Sequence, residues 1–252
     1  MKLREPSDWV RRGISRAVVL VCLLPGLAGA EPQSLFSEGT RAYERADYDQ
    51  ALRAFAALST NEPSFGVWLN LGNSQWKLGE TAGAIVAWER AGQMDPFLKT
   101  AEDNLKFARD QAQLEAPDLT WCEVAAGWLP AGWWAALAVF SLWFAVAVFL
   151  LPNVLRWKRA TWQQALGAMG LGFFLLTLPA NFGVWTRTKL GVALSNETQL
   201  QLTPTTDGEP ITRLAAGEPA RVIGDRGGFL LVQTRRAQGW LPKAQFGWLY
   251  PH

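Results

Sequence analysis

Residue types that do chemistry are scarce in this chain. His252 is its only histidine. A Ser–His or Cys–His nucleophile and a histidine-rich metal site both need an imidazole, so neither is expected. Of two cysteines, Cys22 lies in a leading apolar run and Cys122 stands beside Glu123. Cys122 reads as either a reactive thiol or a quiet residue at a membrane edge, the second being preferred. Neither a P-loop nor a dinucleotide fingerprint occurs. Gly167-Ala168-Met169-Gly170-Leu171-Gly172 falls in an apolar run and reads as close helix packing, with Ala168 and Gly172 as the small pair. No enzyme, cofactor or metal is expected. A net charge of +2 is too small to point to nucleic acid. What remains is binding, and Leu69, Asn73 and Trp76 share the i, i+4, i+7 spacing of one helix face.

That face belongs to a repeat. Residues 33–115 repeat with a period of about 33, near the 34 of a tetratricopeptide unit. Gly39 aligns with Gly72, Ala51 with Ala84, Phe55 with Trp88 and Pro63 with Pro96. Each copy predicts two amphipathic helices around a polar turn, at Ala46-Asp47 and Gly79-Glu80. Small Gly72 and Ala84 would let paired helices approach, while Trp68, Leu71 and Trp88 fill the space between pairs. The second copy resembles the tetratricopeptide family at Trp68, Leu71, Gly72, Ala84, Trp88, Ala91 and Pro96; the first departs at Leu35 and Glu38. A third helix, 99–115, reads as a cap, with Leu105 and Phe107 covering the last repeat. The resemblance implies a concave peptide- or partner-binding face lined by Tyr43, Leu69, Asn73, Trp76 and Lys77. A packing role for Asn73 and Trp76 is the equal alternative.

Two apolar runs, 128–151 and 165–186, flank a basic island, Arg156-Trp157-Lys158-Arg159. Each run is long enough to cross a bilayer as a helix. The alternative is a pair of core helices in a soluble protein. Trp128, Trp133, Trp134, Trp157, Trp162 and Trp185 cluster near the span ends, as interfacial rings do. Trp143 falls mid-span, facing lipid or the other helix. Ahead of all this, Lys2, Arg4, Arg11, Arg12 and Arg16 precede the apolar stretch 17–24 and an Ala28-Gly29-Ala30 site. That pattern predicts a secretory signal, 1–30, cleaved after Ala30. A twin-arginine signal, a lipidated Cys22 and an uncleaved anchor are weaker readings. The basic loop, 152–164, then stays in the cytoplasm. Domains 31–116 and 187–252 both face the exterior or periplasm of an inner membrane, with 117–127 as a linker.

The last domain reads as short strands at 198–203, 211–214, 220–223, 229–234 and 239–241, broken by turn residues, which suggests a small barrel. The run Leu214-Ala215-Ala216-Gly217-Glu218, the hairpin Gly228-Phe229-Leu230 and Gly239-Trp240-Leu241-Pro242 resemble a bacterial SH3-like domain. The resemblance implies an aromatic groove for peptides or cell-wall fragments. Trp240 lines such a groove or fills the core, and core is preferred.

The order of parts adds the most specific resemblance. Asn70-Leu71-Gly72-Asn73, the segment Ala91 to Pro96 and the helix segment Asn104–Arg109 lie in a chain of signal, repeat pair, two spans and SH3-like tail. This resembles BatE-type proteins of the Bacteroides aerotolerance system. The resemblance implies membrane partners with von Willebrand factor A domains and a MoxR-type ATPase on the cytoplasmic side. Two functions follow as expectations: a non-enzymatic scaffold, or an envelope sensor whose SH3-like domain reads peptidoglycan or a cell-wall peptide.

Overall fold

The computed structural model describes residues 30–154, 161–206 and 208–250. The expected signal segment and the basic island of the loop fall outside those residues. Five helices come first: α1 (Ala30–Glu44), α2 (Tyr48–Asn61), α3 (Phe65–Lys77), α4 (Thr81–Met94) and α5 (Thr100–Ala112). The period of 33 is visible in the hydrogen bonds themselves. Asp47 N–H donates to Ala42 O in the first turn, and Glu80 N–H donates to Gln75 O in the second. Glu62 N–H donates to Leu58 O after α2, and Asp95 N–H donates to Ala91 O after α4. Every member of one copy is thus 33 residues from its counterpart.

The same holds for packing. A Cβ on Gly39 would stand 2.9 Å from the Phe55 ring, and one on Gly72 would stand 2.6 Å from the Trp88 ring. Trp88 is therefore pressed onto the partner helix of its own pair. This differs from the expectation that it fills space between pairs. Asp47 and Ser64 accept from Gln50 N–H and Val67 N–H, so both helices begin on a side-chain cap. The cap helix α5 is shorter than 99–115, because Gln113 turns to φ 53° and ends it.

The segment 117–127, expected as a linker, folds. It contains α6 (Trp121–Ala126), opened by Thr120 and Glu123 in a capping box. Two long helices follow, α7 (Ala131–Val154) and α8 (Thr161–Arg187), which pack as an antiparallel hairpin. The first starts three residues later than expected, at Ala131, and runs through Pro152. The second extends past both expected ends. At 1.5 Å per residue they span roughly 36 and 40 Å, against about 30 Å of hydrocarbon. Only 6% and 22% of their most apolar windows are buried, which is opposite to what two core helices would show. Trp143 is 66% exposed and faces outward, not toward α8. The close approach lies one residue before and two after Ala168: Gly167 meets the Phe149 ring, and Gly170 meets Phe144 and Ala145. Gly172 has nothing within 4 Å of a Cβ position and Ala168 is exposed, so the expected small pair is not the packing seam.

The chain ends in one antiparallel sheet of seven strands: β1 (Leu190–Ala193), β2 (Gln199–Gln201), β3 (Pro210–Arg213), β4 (Pro219–Arg226), β5 (Phe229–Gln233), β6 (Gln238–Pro242) and β7 (Phe246–Trp248). Its order is β3-β2-β6-β5-β4-β1-β7. Five strands were expected near their observed places; β1 and β7, which pair with each other, were not. Strand alternation sends Leu230, Val232 and Leu241 inward with Leu200, Val222 and Phe246.

The sheet does not stand alone. Leu190, Val192 and Leu249 share one buried cluster with Ile85 and Trp88 of α4 and Leu105 of α5. Arg90 donates to Trp248 O at 2.9 Å and Gln93 to Leu249 O at 3.1 Å. Repeats and sheet therefore lie together at the same end of the helical hairpin.

The two repeat turns also differ in one informative way. Gly79 takes φ 80°, and its counterpart Ala46 takes φ 61°. The left-handed region costs an L-residue about 1–2 kcal/mol. Ala46 is exposed, so Ala46→Gly removes the strain and loses no packing. Thermal unfolding of the variant is expected to move upward, offset in part by the greater entropy of an unfolded glycine. An unchanged or lower Tm would contradict the matching of the two turns.

Candidate functional site

One face of α3 meets α5 through Asn73 and Trp76, and α3 also touches α1. Asn73 is tied down on this face. Its Oδ1 accepts from Trp88 Nε1 at 3.1 Å and from Asn104 Nδ2 at 3.0 Å. One amide oxygen thereby joins α3, α4 and α5. Leu69 and Trp76 are half-buried against the cluster that holds Trp88. Trp76 lies 5.9 Å from the Trp88 ring and 5.8 Å, edge-on, from Phe107. Lys77 is exposed at the end of α3. Tyr43 is half-buried beside Tyr48, 5.2 Å away, and burial pushes its phenol up, with Tyr48 adding to it.

Leu105 and Phe107 both reach the last repeat, but to different depths. Leu105 covers the last repeat as expected, at 7% exposure. Phe107 lies on Trp76 of that repeat and stays 58% exposed. Helix periodicity carries the signal: Phe107 stands three residues after Asn104, on the Asn73 side of α5. An aromatic ledge of Trp76 and Phe107, bordered by Lys77, is what the face presents.

Trp240 is half-exposed on β6, between buried Gly239 and Leu241. It is absent from the sheet's buried cluster, so the preferred core reading gives way to an outer-face position. Its ladder neighbours are Gln201 and Leu231. Cys122 is half-buried in α6, whose backbone is pressed against Gly183 of α8. Among the described residues, no three His, Cys, Asp or Glu side chains converge as a metal group. A larger polar cleft, about 950 Å³, runs between residues 112–120 and the sheet, away from the aromatic ledge. Its charges are of mixed sign; Arg235 bonds Glu115 across it at 2.9 Å.

The strongest electrostatic feature holds the parts together. Glu123 is fully buried. Arg221 of β4 grips it with two bonds, Nη1 to Oε1 at 2.6 Å and Nη2 to Oε2 at 2.9 Å. The same guanidinium donates to Asp118 O at 3.1 Å. Thr120 N–H donates to Oε2 at 2.8 Å. Burial works against the charge, but the Arg221, Thr120 and Thr186 hydrogen bonds outweigh it and hold the carboxyl at about 2. The Thr120-x-x-Glu123 spacing was a sequence signal for the cap; nothing in the sequence announced Arg221, 98 residues on.

Glu123→Gln leaves Arg221 short of its partner, and breaking a buried pair costs about 3–5 kcal/mol. The pH dependence has a definite sign. With a folded value of about 2, below the ordinary 4.5, Glu123 stabilises fully above 4.5 and loses this contribution as pH falls through 2. The Tm gap between wild type and Glu123→Gln is therefore expected to be full at pH 6 and to narrow from pH 4.5 toward pH 2. A gap independent of pH would refute the charged pair.

No protein-family model matches the chain, and no curated protein matches it.

Proposed function

We propose that this chain is a non-enzymatic, membrane-anchored scaffold that binds partner proteins on the face where α3 meets α5. The observation that carries the reading is the exposed Phe107 stacked edge-on against Trp76 beside Lys77. Such rings are large, stiff anchors, and aromatic residues dominate interface energetics. In this reading the helix pairs are tetratricopeptide repeats, the sheet is an SH3-like domain, and α7 and α8 cross a cytoplasmic membrane. Anchoring raises the local concentration of a membrane partner, so a modest groove suffices. The partners implied by the resemblance, membrane proteins with von Willebrand factor A domains and indirectly a MoxR-type ATPase, are the first to seek.

The shared core supports one topological choice. Leu190, Val192 and Leu249 pack on α4, which supports placing both domains on one side of the membrane. In this reading the basic island and the expected leading signal favour the external side. Reporters after Gln113 and at the C-terminus are expected to read external, and one after Lys158 cytoplasmic. An external reading at Lys158 sinks the arrangement.

The groove is tested without touching Asn73, because losing its oxygen leaves Trp88 Nε1 and Asn104 Nδ2 unpaired. Phe107→Ala with Lys77→Ala removes only surface. This double variant, captured from membranes as the full chain, is expected to lose the co-purifying partner while keeping its helical circular dichroism. Retention of the same partner would place the site elsewhere.

A second reading, peptide or cell-wall recognition by the sheet, is favoured by one observation: Trp240 lies on the outer face. Trp240→Ala in the full chain separates the two readings, since it spares the ledge. An isolated 190–252 fragment would expose Leu190, Val192 and Leu249 and is a poor probe.

A further inference from the structure

A cleft of about 430 Å³ lies where the apolar hairpin meets the folded domains. One wall is Trp128 and Leu129, which lead into α7, and Ala131, its first residue. Glu89, Lys99, Glu102, Arg109 and Arg187 are its charged lining residues. Arg109 pairs with Glu89 and Lys99 with Glu102, so these four cancel. Arg187, at the end of α8, forms no ion pair among the described residues. Its guanidinium lies 5.9 Å from the Tyr250 ring centre, and its Nε is buried without an acceptor. Gly127 makes room for it: a Cβ there would stand 2.6 Å from Nη2. The guanidinium also hydrogen-bonds Tyr250. The site thus offers one cation that no carboxylate among the described residues pairs, in a cradle with an apolar ramp beside it.

From this arrangement we infer that the cleft binds one phospholipid, its phosphodiester against Arg187 and its acyl chains along the Leu129–Ala131 side of α7. The inference rests on the membrane reading above. A guanidinium prefers a phosphate because its N–H groups match two oxygens at once. The apolar wall selects a lipid over free phosphate. It is continuous with outward-facing side chains of α7, including Val139 and Phe140, which on this reading already stand in hydrocarbon. The setting is interfacial too. Trp121, Trp128 and Trp185 are exposed around the junction, and Lys189 Nζ stands 4.5 Å from the centre of the Trp185 ring. Tyr250 stands beside Arg187 and hydrogen-bonds it. Burial pushes its phenol well up, so it stays neutral and repels no phosphate.

The full chain, purified in mild detergent, is examined by native mass spectrometry with three probes: phosphatidylglycerol, diacylglycerol and inorganic phosphate. One phosphatidylglycerol is expected to bind, and diacylglycerol is not. Excess inorganic phosphate is not expected to displace the lipid. Arg187→Gln should weaken the lipid about tenfold, as loss of a charge-assisted contact implies. Gly127→Ala should do the same by displacing the guanidinium, and Arg187→Lys should retain part of the binding. Equal binding of diacylglycerol overturns the phosphate contact. Full displacement by inorganic phosphate overturns the lipid. Unchanged binding in both variants overturns the site. The comparison of probes on the wild-type chain stands even if a variant misfolds. Carbonate extraction separates the two layers of the reading: a chain released from membranes ends both, whereas a chain that stays embedded but binds no phosphatidylglycerol ends this inference alone.

Discussion

The core shared between α4 and the sheet is the constraint on which the rest depends. Two repeats have one helix face too many. In a longer array the next repeat would cover α4; here α5 covers part of it and the sheet covers more. Ile85 and Trp88 are buried against Leu190, Val192 and Leu249, which come from the far side of the hairpin in sequence. Burying apolar area contributes about 25 cal/mol per Å², and a two-repeat array has few other places to gain it. The sheet is therefore structural to the repeats before it is anything else.

That closure decides how the long helices sit. The chain leaves the folded body through α6 and returns to it at β1, so α7 and α8 begin and end at one surface. The Glu123–Arg221 pair ties α6 to β4, and Gly183 lets α8 touch the backbone of α6. Neither contact is a loose tether. A partner held on the Trp76–Phe107 ledge would stand in a fixed orientation to the apolar hairpin, as a scaffold requires. It also leaves Arg187 at the seam, with no ion pair among the described residues, where bilayer and folded body would meet.

The use of Asn73 shows how one residue type can carry two meanings. On a helix wheel it faces a groove. In three dimensions its oxygen is shared by Trp88 and Asn104, and it fixes the cap helix on the repeats. The exposed ledge is correspondingly made of its neighbours, Trp76, Phe107 and Lys77. A polar residue on an inner face can thus be the fastener that shapes the groove.

Local pattern by itself determined the period of 33, the helix pairs and their turns, the two long apolar helices and five of the seven strands. These rest on spacing, capping and hydropathy, which act within a few residues of each other. Tertiary structure decided the remainder. The segment 117–127 had no periodicity of its own and became α6 because α8 and Arg221 were there to hold it. Strand β1 is buried along its whole length and shows no alternation, and it is held between β4 and β7, which pairs with it. Trp240 and Phe107 could have faced either way; Trp240 turned outward because the strand's alternation placed Gly239 and Leu241 inside. Only packing could assign Glu123 and Arg221 to each other, since 98 residues separate them and Coulomb attraction reads distance in space, not along the chain.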